Sequence, residues 1–327
     1  MTRAALLALI AIAAMAQQPA IENAKVETRA FSGSLATQLA QFGAGPFWAG
    51  YSEPAMPRAI GDMCCGDNGC RGYAAGAAVR LEGDTSVVIL ARMEGGRVDK
   101  LRVMSPDCRL DGGNLPFYWI NGVPADASVA WLKSQTASGQ PVPAIFAIAM
   151  HSAAAADQAL NDLSAPAQPE KVREKTAFWL GTSRGAKGLE TLKRMLANDP
   201  SDQVRSQVIF AMAQNKDPQG MKTVIDAARS DRSPHVRQQA LFWLAQKAGD
   251  KQAADVIHNA ALNDTDRAVK EHAVFALTQL PHDQGIPMLI DLAKTNSDPA
   301  VRKRALFWLG QSGDPRALDF IAQILKQ

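Results

Sequence analysis

The chain has little that would mark it for nucleic acid, lipid or catalysis. Over 327 residues, Lys and Arg number 35 against 32 Asp and Glu, a net charge of +3. No long-range field therefore draws it onto a phosphate backbone or an anionic membrane, and nucleic acid is not an expected partner. Histidine is scarce, with five residues (His151, His235, His258, His272, His282), and none is spaced with a second His or Cys as metal ligands are. They are expected at solvated helix ends and faces. No Gly-rich phosphate loop follows a strand, and no Ser/His/Asp or Cys/His set can be assembled from the order of residues. No catalytic residue, metal or cofactor is therefore expected.

Long apolar runs are missing as well, except at the N-terminus. Arg3 precedes the stretch Ala4 to Ala14, and Ala14-Met15-Ala16 leads into Gln17-Gln18-Pro19. This is the layout of a secretory signal with small residues at the cleavage positions. It is shorter than the roughly 20 residues that span a bilayer. Residues 1–16 are expected to be a signal peptide, the mature chain to have no membrane span, and the protein to be exported, to a periplasm or outside the cell.

What is present is a repeat. Val172-Arg173, Val204-Arg205, Val236-Arg237, Val269-Lys270 and Val301-Arg302 recur at intervals of 32, 32, 33 and 32 residues. Six residues after each Val comes Phe178, Phe210, Phe242, Phe275 or Phe307, and eight after comes Leu180, Met212, Leu244, Leu277 or Leu309. A degenerate first copy is expected from about residue 140, giving about six repeats. Ser201, Ser233, Asp266 and Asp298 precede the Val by three residues as helix caps, with Pro234 and Pro299 at the first helical position. The second helix of each repeat carries an i, i+3, i+4, i+7 stripe, as in Ile286, Leu289, Ile290 and Ala293. Helix pairs that cannot bury their apolar faces alone stack into an α-solenoid.

The blocks VRKRALFWLGQSGDPRAL (from Val301), VRQQALFWLAQKAGD (from Val236) and VREKTAFWLG (from Val172) resemble HEAT repeats of the short bacterial type, also found in phycobilisome-lyase-like proteins. With the N-terminal motifs GPFWAGYSEP (from Gly45) and SPDCRLDGG (from Ser105), the arrangement is similar to exported bacterial HEAT-repeat proteins. That resemblance implies partner binding and no chemistry of its own.

The expected fold is mainly α, an α-solenoid at residues 140–327 preceded by a small α+β module at 17–139. Ala77 to Leu81, Thr85 to Met93 and Arg97 to Met104 read as a meander. Ser34 is expected to cap a helix to Gln41, and Asp126 another through Val129, Trp131 and Leu132. All four cysteines, Cys64, Cys65, Cys70 and Cys108, lie in the module, and an oxidising compartment favours disulfides over zinc or free thiols. Neighbouring cysteines rarely bond each other, leaving 64 with 70 plus 65 with 108, or 65 with 70 plus 64 with 108.

Two columns bear on function. Ala147, Trp179, Ala211, Trp243, Ala276 and Trp308 alternate small and large one residue after the Phe position, and helical geometry turns them toward the core. The basic column Arg173, Arg205, Arg237, Lys270, Arg302 faces Asp199, Asp231, Asp264 and Asn296 at the inter-repeat turns, so pairing is expected. On the second helices, Met288, Leu292, Phe320 and Ile324 form an apolar cluster at positions directed away from their own repeat. They are the expected contact surface for a partner, or for a second copy in a homodimer. The expected function is a non-catalytic exported scaffold binding a protein or peptide. The alternative is a HEAT-repeat enzyme, lyase-like or oxidoreductase, with a ligand pocket between module and solenoid.

Overall fold

A computed structural model describes residues 18–56, 64–66, 69–70, 85–247 and 251–326. The expected signal peptide and the strand expected at 77–81 lie outside them. The chain divides into two compact units, one ending at Ala155 and one beginning at Ala156. The expected division at 139/140 falls one helix earlier than this boundary.

The first unit contains β1 (Ile21–Glu22), β2 (Lys25–Ala30), α1 (Leu35–Gln41), β3 (Phe47–Pro54), β4 (Cys65–Gly66), β5 (Gly69–Cys70), β6 (Ser86–Glu94), β7 (Arg97–Met104), β8 (Leu110–Asp111), β9 (Pro116–Asn121), α2 (Ala125–Gln135) and α3 (Pro141–Met150). Strands β6 and β7 are the hairpin read from the sequence, turning at Gly95 and Gly96, both at positive φ. They extend a mixed sheet in the order β2-β9-β3-β6-β7. β3, which carries the FWAGYSE motif, pairs antiparallel with β6 and parallel with β9.

Alternation along β3 sorts its residues between two faces. Trp48 and Gly50 face a core of Val88, Leu90, Met104, Phe117 and Trp119, onto which Cys108 also packs. Gly50 is required there, because a Cβ would stand 2.7 Å from the Leu90 side chain. Tyr51, on the other face, meets Trp131 of α2 edge-on at 6.4 Å. Ser34 caps α1 by accepting from the Thr37 N–H, as expected. Asp126 lies in the first turn of α2, whose N-cap position is taken by Pro124.

Cys64 and Cys108 are joined by a disulfide. Of the two expected pairings, only the one containing this bond remains. The backbones of Cys65 and Cys70 face each other across the β4–β5 pair.

From Ala156 onward the chain is helical. After α4 (Ala154–Leu163) come α5 (Glu170–Ser183) and α6 (Gly185–Asn198), α7 (Asp202–Gln214) and α8 (Pro218–Ser230), α9 (Pro234–Gln246) and α10 (Lys251–Asn263), α11 (Arg267–Leu277) and α12 (His282–Thr295), and α13 (Pro299–Gln311) and α14 (Pro315–Ile324). The helices α7, α9, α11 and α13 begin at the predicted caps. Ser201 accepts from Val204 N–H, Asp266 from Val269 N–H and Asp298 from Ala300 N–H. Ser233 departs from the pattern, donating its hydroxyl to Asp202 of the preceding pair instead. Within the pairs the repeated Val is buried every time.

Candidate functional site

The basic column is built into the structure as a ladder. Arg173 grips the Asp199 carboxylate with Nε at 2.7 Å and Nη2 at 3.0 Å, and its Nη1 donates to Gln168 O. Arg205 takes Asp231 in the same way while its Nη1 donates to Asp199 O at 3.0 Å. Arg237 binds Asp264 with both edges of its fork and donates Nη1 to Asp231 O at 2.8 Å. The turns at Asp199 and Asp231 thus each accept from one arginine through the carboxylate and from the next through the carbonyl. Hydrogen bonds from Arg237 to Asp264 push the guanidinium further above its usual range. Arg205 is fully buried, and Arg173 and Arg237 nearly so. These guanidinium groups are consumed internally, which is the expected pairing and leaves them unable to form a phosphate-binding row.

The Trp column is placed differently from its expected enclosed position. Ala147, Ala211 and Ala276 are buried, but Trp179, Trp243 and Trp308 are only half-buried. The Cβ at this position points inward while the indole is long enough to extend beyond the layer. There it meets the Phe column. Phe178 stacks on Phe210 at 5.9 Å and 17°, Phe210 meets Trp243 at 4.9 Å, and Trp243 meets Phe242 at 5.1 Å. Further along, Phe275 meets Trp308 at 5.4 Å, and Trp308 meets Phe307 at 5.1 Å. The Phe residues are half-buried or, at Phe307, exposed. Three and ten residues after the repeated Val, Gln207 and Gln214 on α7 and Gln239 and Gln246 on α9 are partly or fully exposed. α7 and α9 therefore present an aromatic stripe bordered by uncharged amides.

The contact cluster expected on the second helices is not a surface. Leu292 is 0% and Phe320 6% exposed, Met288 is half-buried, and only Ile324 is exposed, at 38%. The positions directed away from their own repeat are covered by neighbouring second helices, as Thr191, Met195 and Ala227 are earlier in the array. Lys294 also stands over the Phe320 ring at 5.1 Å.

In the first unit, His151 is fully buried, not at a solvated helix end as expected. Its Nε2 is 3.0 Å from the Ser128 hydroxyl, which is 2.9 Å from the Tyr51 hydroxyl. Its Nδ1 lies 3.9 Å from a Glu53 oxygen. Burial pushes the Glu53 carboxyl up to about 8. Burial also raises the Tyr51 phenol, opposed by its bond to Ser128 and reinforced by Glu53. Tyr51 and Glu53 share one face of β3, Ser128 comes from α2 and His151 follows α3. Serine, histidine and glutamate stand in a hydrolase-like order, and with Ser128 0% exposed the group is enclosed, linking β3, α2 and the end of α3 through buried polar contacts. Sequence reasoning missed it because the three elements are remote in the chain.

Cys64, Asp107 and Cys108 also lie together, but the two sulfurs are already bonded to each other. Among the described residues no helix is long and apolar enough to cross a membrane.

Comparison with solved structures finds human deoxyhypusine hydroxylase in complex with glycerol at 19% identity, over 62% of this chain and 78% of that one, with a TM-score of 0.28. The complex of CpcE and CpcF of phycocyanin lyase from Nostoc is 21% identical over 55% and 97% of the two chains, with a TM-score of 0.29. The karyopherin Kap121p bound to the SUMO protease Ulp1p is 17% identical over 61% and 19%, with a TM-score of 0.28. At these values the likenesses carry no argument about activity. Among curated proteins nothing matches. The family model for HEAT repeats matches residues 156–245, 221–280 and 254–327, which together make up more than half of the sequence, and the chain belongs to the HEAT-repeat family.

Proposed function

We propose that this protein is a non-catalytic interaction scaffold that binds a protein or peptide through the first-helix face of its repeats. The observation that carries the reading is the stripe from Phe178 through Phe210 to Trp243, half-buried and flanked on α7 and α9 by glutamines. Aromatic rings left partly open in a row, with amides that can donate and accept beside them, suit an apolar or uncharged polypeptide. Acidic partners are disfavoured along α5, α7 and α9, because Arg173, Arg205 and Arg237 are already spent on Asp199, Asp231 and Asp264.

Export belongs to the same proposal. The Cys64–Cys108 disulfide supports it, since such bonds persist in oxidising compartments. N-terminal sequencing of the protein from its source cells should begin at Gln17, and a cytoplasmic chain retaining Met1 would remove this part of the reading.

The binding surface is tested by replacing Phe178, Phe210 and Phe242 together with Gln. Capture of the partner from an envelope extract should fall at least tenfold while the helical circular dichroism is retained. Undiminished capture by the folded variant would show that this face is not the contact.

A further inference from the structure

The sheet of the first unit ends in β7 on one side and β2 on the other. At β7, Gln140, just before α3, lays its Nε2 on Asp99 O at 2.8 Å. The β2 edge is barer. Among the described residues, the one hydrogen bond its backbone makes outside the ladder with β9 is at the C-terminal end, where Gln38 Nε2 donates to Ala30 O at 2.8 Å. Thr28, Arg29 and Ala30 are exposed.

Register decides which groups of β2 are free. The strand runs parallel to β9 with Val26 opposite Phe117 and Ala30 opposite Asn121, and just past it Phe31 N–H donates to Asn121 O at 2.8 Å. In a parallel ladder the N–H and C=O of one residue point to the same neighbour, and those of the next residue point the other way. Phe31 therefore sets the backbone groups of Lys25, Glu27 and Arg29 toward β9 and those of Val26, Thr28 and Ala30 outward. The place of Gln38 on Ala30 O agrees with this. Such a row is a template for another strand unless something blunts it.

Val26 packs on the core, so Lys25, Glu27 and Arg29 project from the other face of the strand. Glu27 meets Arg29 at 2.7 Å and Lys25 at 3.7 Å. Charges on an edge discourage pairing where a neighbouring copy sets like against like. With the order Lys-Glu-Arg, the outcome depends on register. An antiparallel copy related by a two-fold axis through Glu27 opposes Glu27 to Glu27 and Lys25 to Arg29. An axis through Val26 opposes Lys25 to Glu27 but overlaps the strands only over those residues. An axis through Thr28 opposes Glu27 to Arg29 twice, Val26 to Ala30, and Thr28 to itself. It also makes Thr28 a hydrogen-bonded pair, since its N–H and C=O point outward, and leaves Glu27 and Arg29 at the non-hydrogen-bonded positions where side chains come closer. Charge order and backbone direction thus select the same register.

We infer that β2 is the contact strand of a homodimer, in which a second copy of this chain adds its own β2 antiparallel across the open edge, about a two-fold axis at Thr28. Each Thr28 N–H donates to Thr28 O of the other copy, and each Ala30 N–H donates to Val26 O of the other copy. Arg29 of each copy faces Glu27 of the other. The two sheets become one, and the facing threonines and the crossed ion pairs are the side-chain pairs that favour this alignment. One short strand is a small interface, so association is reversible, and its exposed ion pairs weaken with salt. This surface is separate from Leu292 and Phe320, which are buried within the helical array.

Sedimentation velocity of the full chain over a concentration series should show a monomer–dimer equilibrium. Thr28→Pro removes only an outward N–H and keeps the ladder with β9, since proline is tolerated on an open edge. It should weaken association at least tenfold with the circular dichroism unchanged. Glu27→Arg sets like charges across the axis and should do the same, and adding Arg29→Glu restores the complementary order and should recover association to about the parent value. In the unaltered chain, hydrogen exchange at the Thr28 amide should slow as concentration rises, a readout that depends on no variant. A chain that stays monomeric across the series, a dimer that persists in Thr28→Pro, a folded charge-swapped chain that fails to reassociate, or Thr28 exchange that ignores concentration would overturn the assignment.

Discussion

Glu53 is the residue whose ionisation matters most to the first unit. Its folded carboxyl is raised by burial from an ordinary 4.5 to about 8, so the folded state holds a proton that the unfolded chain releases earlier. The sign follows from linkage. The stabilising contribution is complete below about pH 4.5 and is lost progressively as the pH rises toward and past 8. Glu53→Gln keeps the shape and removes the titration. The variant should match the parent near pH 5, exceed it in thermal stability at pH 8 and lose the slope between, as followed by the melting of the first unit. A parallel pH profile in both proteins would show that Glu53 is paired in a way that keeps its carboxyl ordinary.

Arg205 shows the opposite case, a buried charge with complete pairing. Arg205→Ala leaves Asp231, whose side chain is 7% exposed, without its fork. Breaking a buried pair from one side costs on the order of 3–5 kcal/mol. Urea denaturation should show a loss of that size, and the double change Arg205→Leu with Asp231→Leu should recover most of it. The pairing was legible from the sequence, because Arg and Asp recur at fixed offsets and only short-range geometry is needed to join them. His151 was not legible. Its burial depends on Glu53 and Ser128 reaching it from distant elements, and no local pattern reports such a meeting.

At the level of elements, a glycine column fixes how the second helix of a pair sits against the first. Gly188, Gly220 and Gly285 each lie sixteen residues after the repeated Val, and a Cβ would stand 2.1 Å from Leu180 O, 2.6 Å from Met212 O and 2.4 Å from Leu277 O. The helix axis must come this close for Leu192 and Leu289 to be fully covered. Gly188→Ala or Gly285→Ala should therefore cost roughly 1–3 kcal/mol by forcing the pair apart. Gly310→Ala, in a helix with nothing within 4 Å, should instead stabilise by roughly 0.5–1 kcal/mol. Differential scanning fluorimetry of the three variants separates the two signs. The column is in the sequence but interrupted by Gln252 and Ala317, which hides it from a search keyed on apolar residues. Strand β3 was hidden for another reason. Its sequence FWAGYSEP lacks the run of β-branched residues and the adjoining Gly-Gly turn that marked β6 and β7, and its parallel partner β9 lies more than sixty residues away.

At the scale of the molecule, the two units are stabilised by different means. The unit from Ala156 onward depends on stacking and on a ladder in which each arginine touches only its own and the adjoining turn. Such an array has a stability made of nearest-neighbour contributions. The unit ending at Ala155 depends on a sheet whose strands are far apart in sequence and on a crosslink between residues separated by 44 positions. Closing a loop of that length in the unfolded chain contributes about 4 kcal/mol by the chain-entropy model. The two units need not melt together, and a single two-state description is not warranted. Replacing Cys64 and Cys108 with Ser should lower one calorimetric transition while leaving the other, which carries most of the helical signal, in place. A single transition that shifts as a whole would mean that the helical array draws its stability from the disulfide-linked unit.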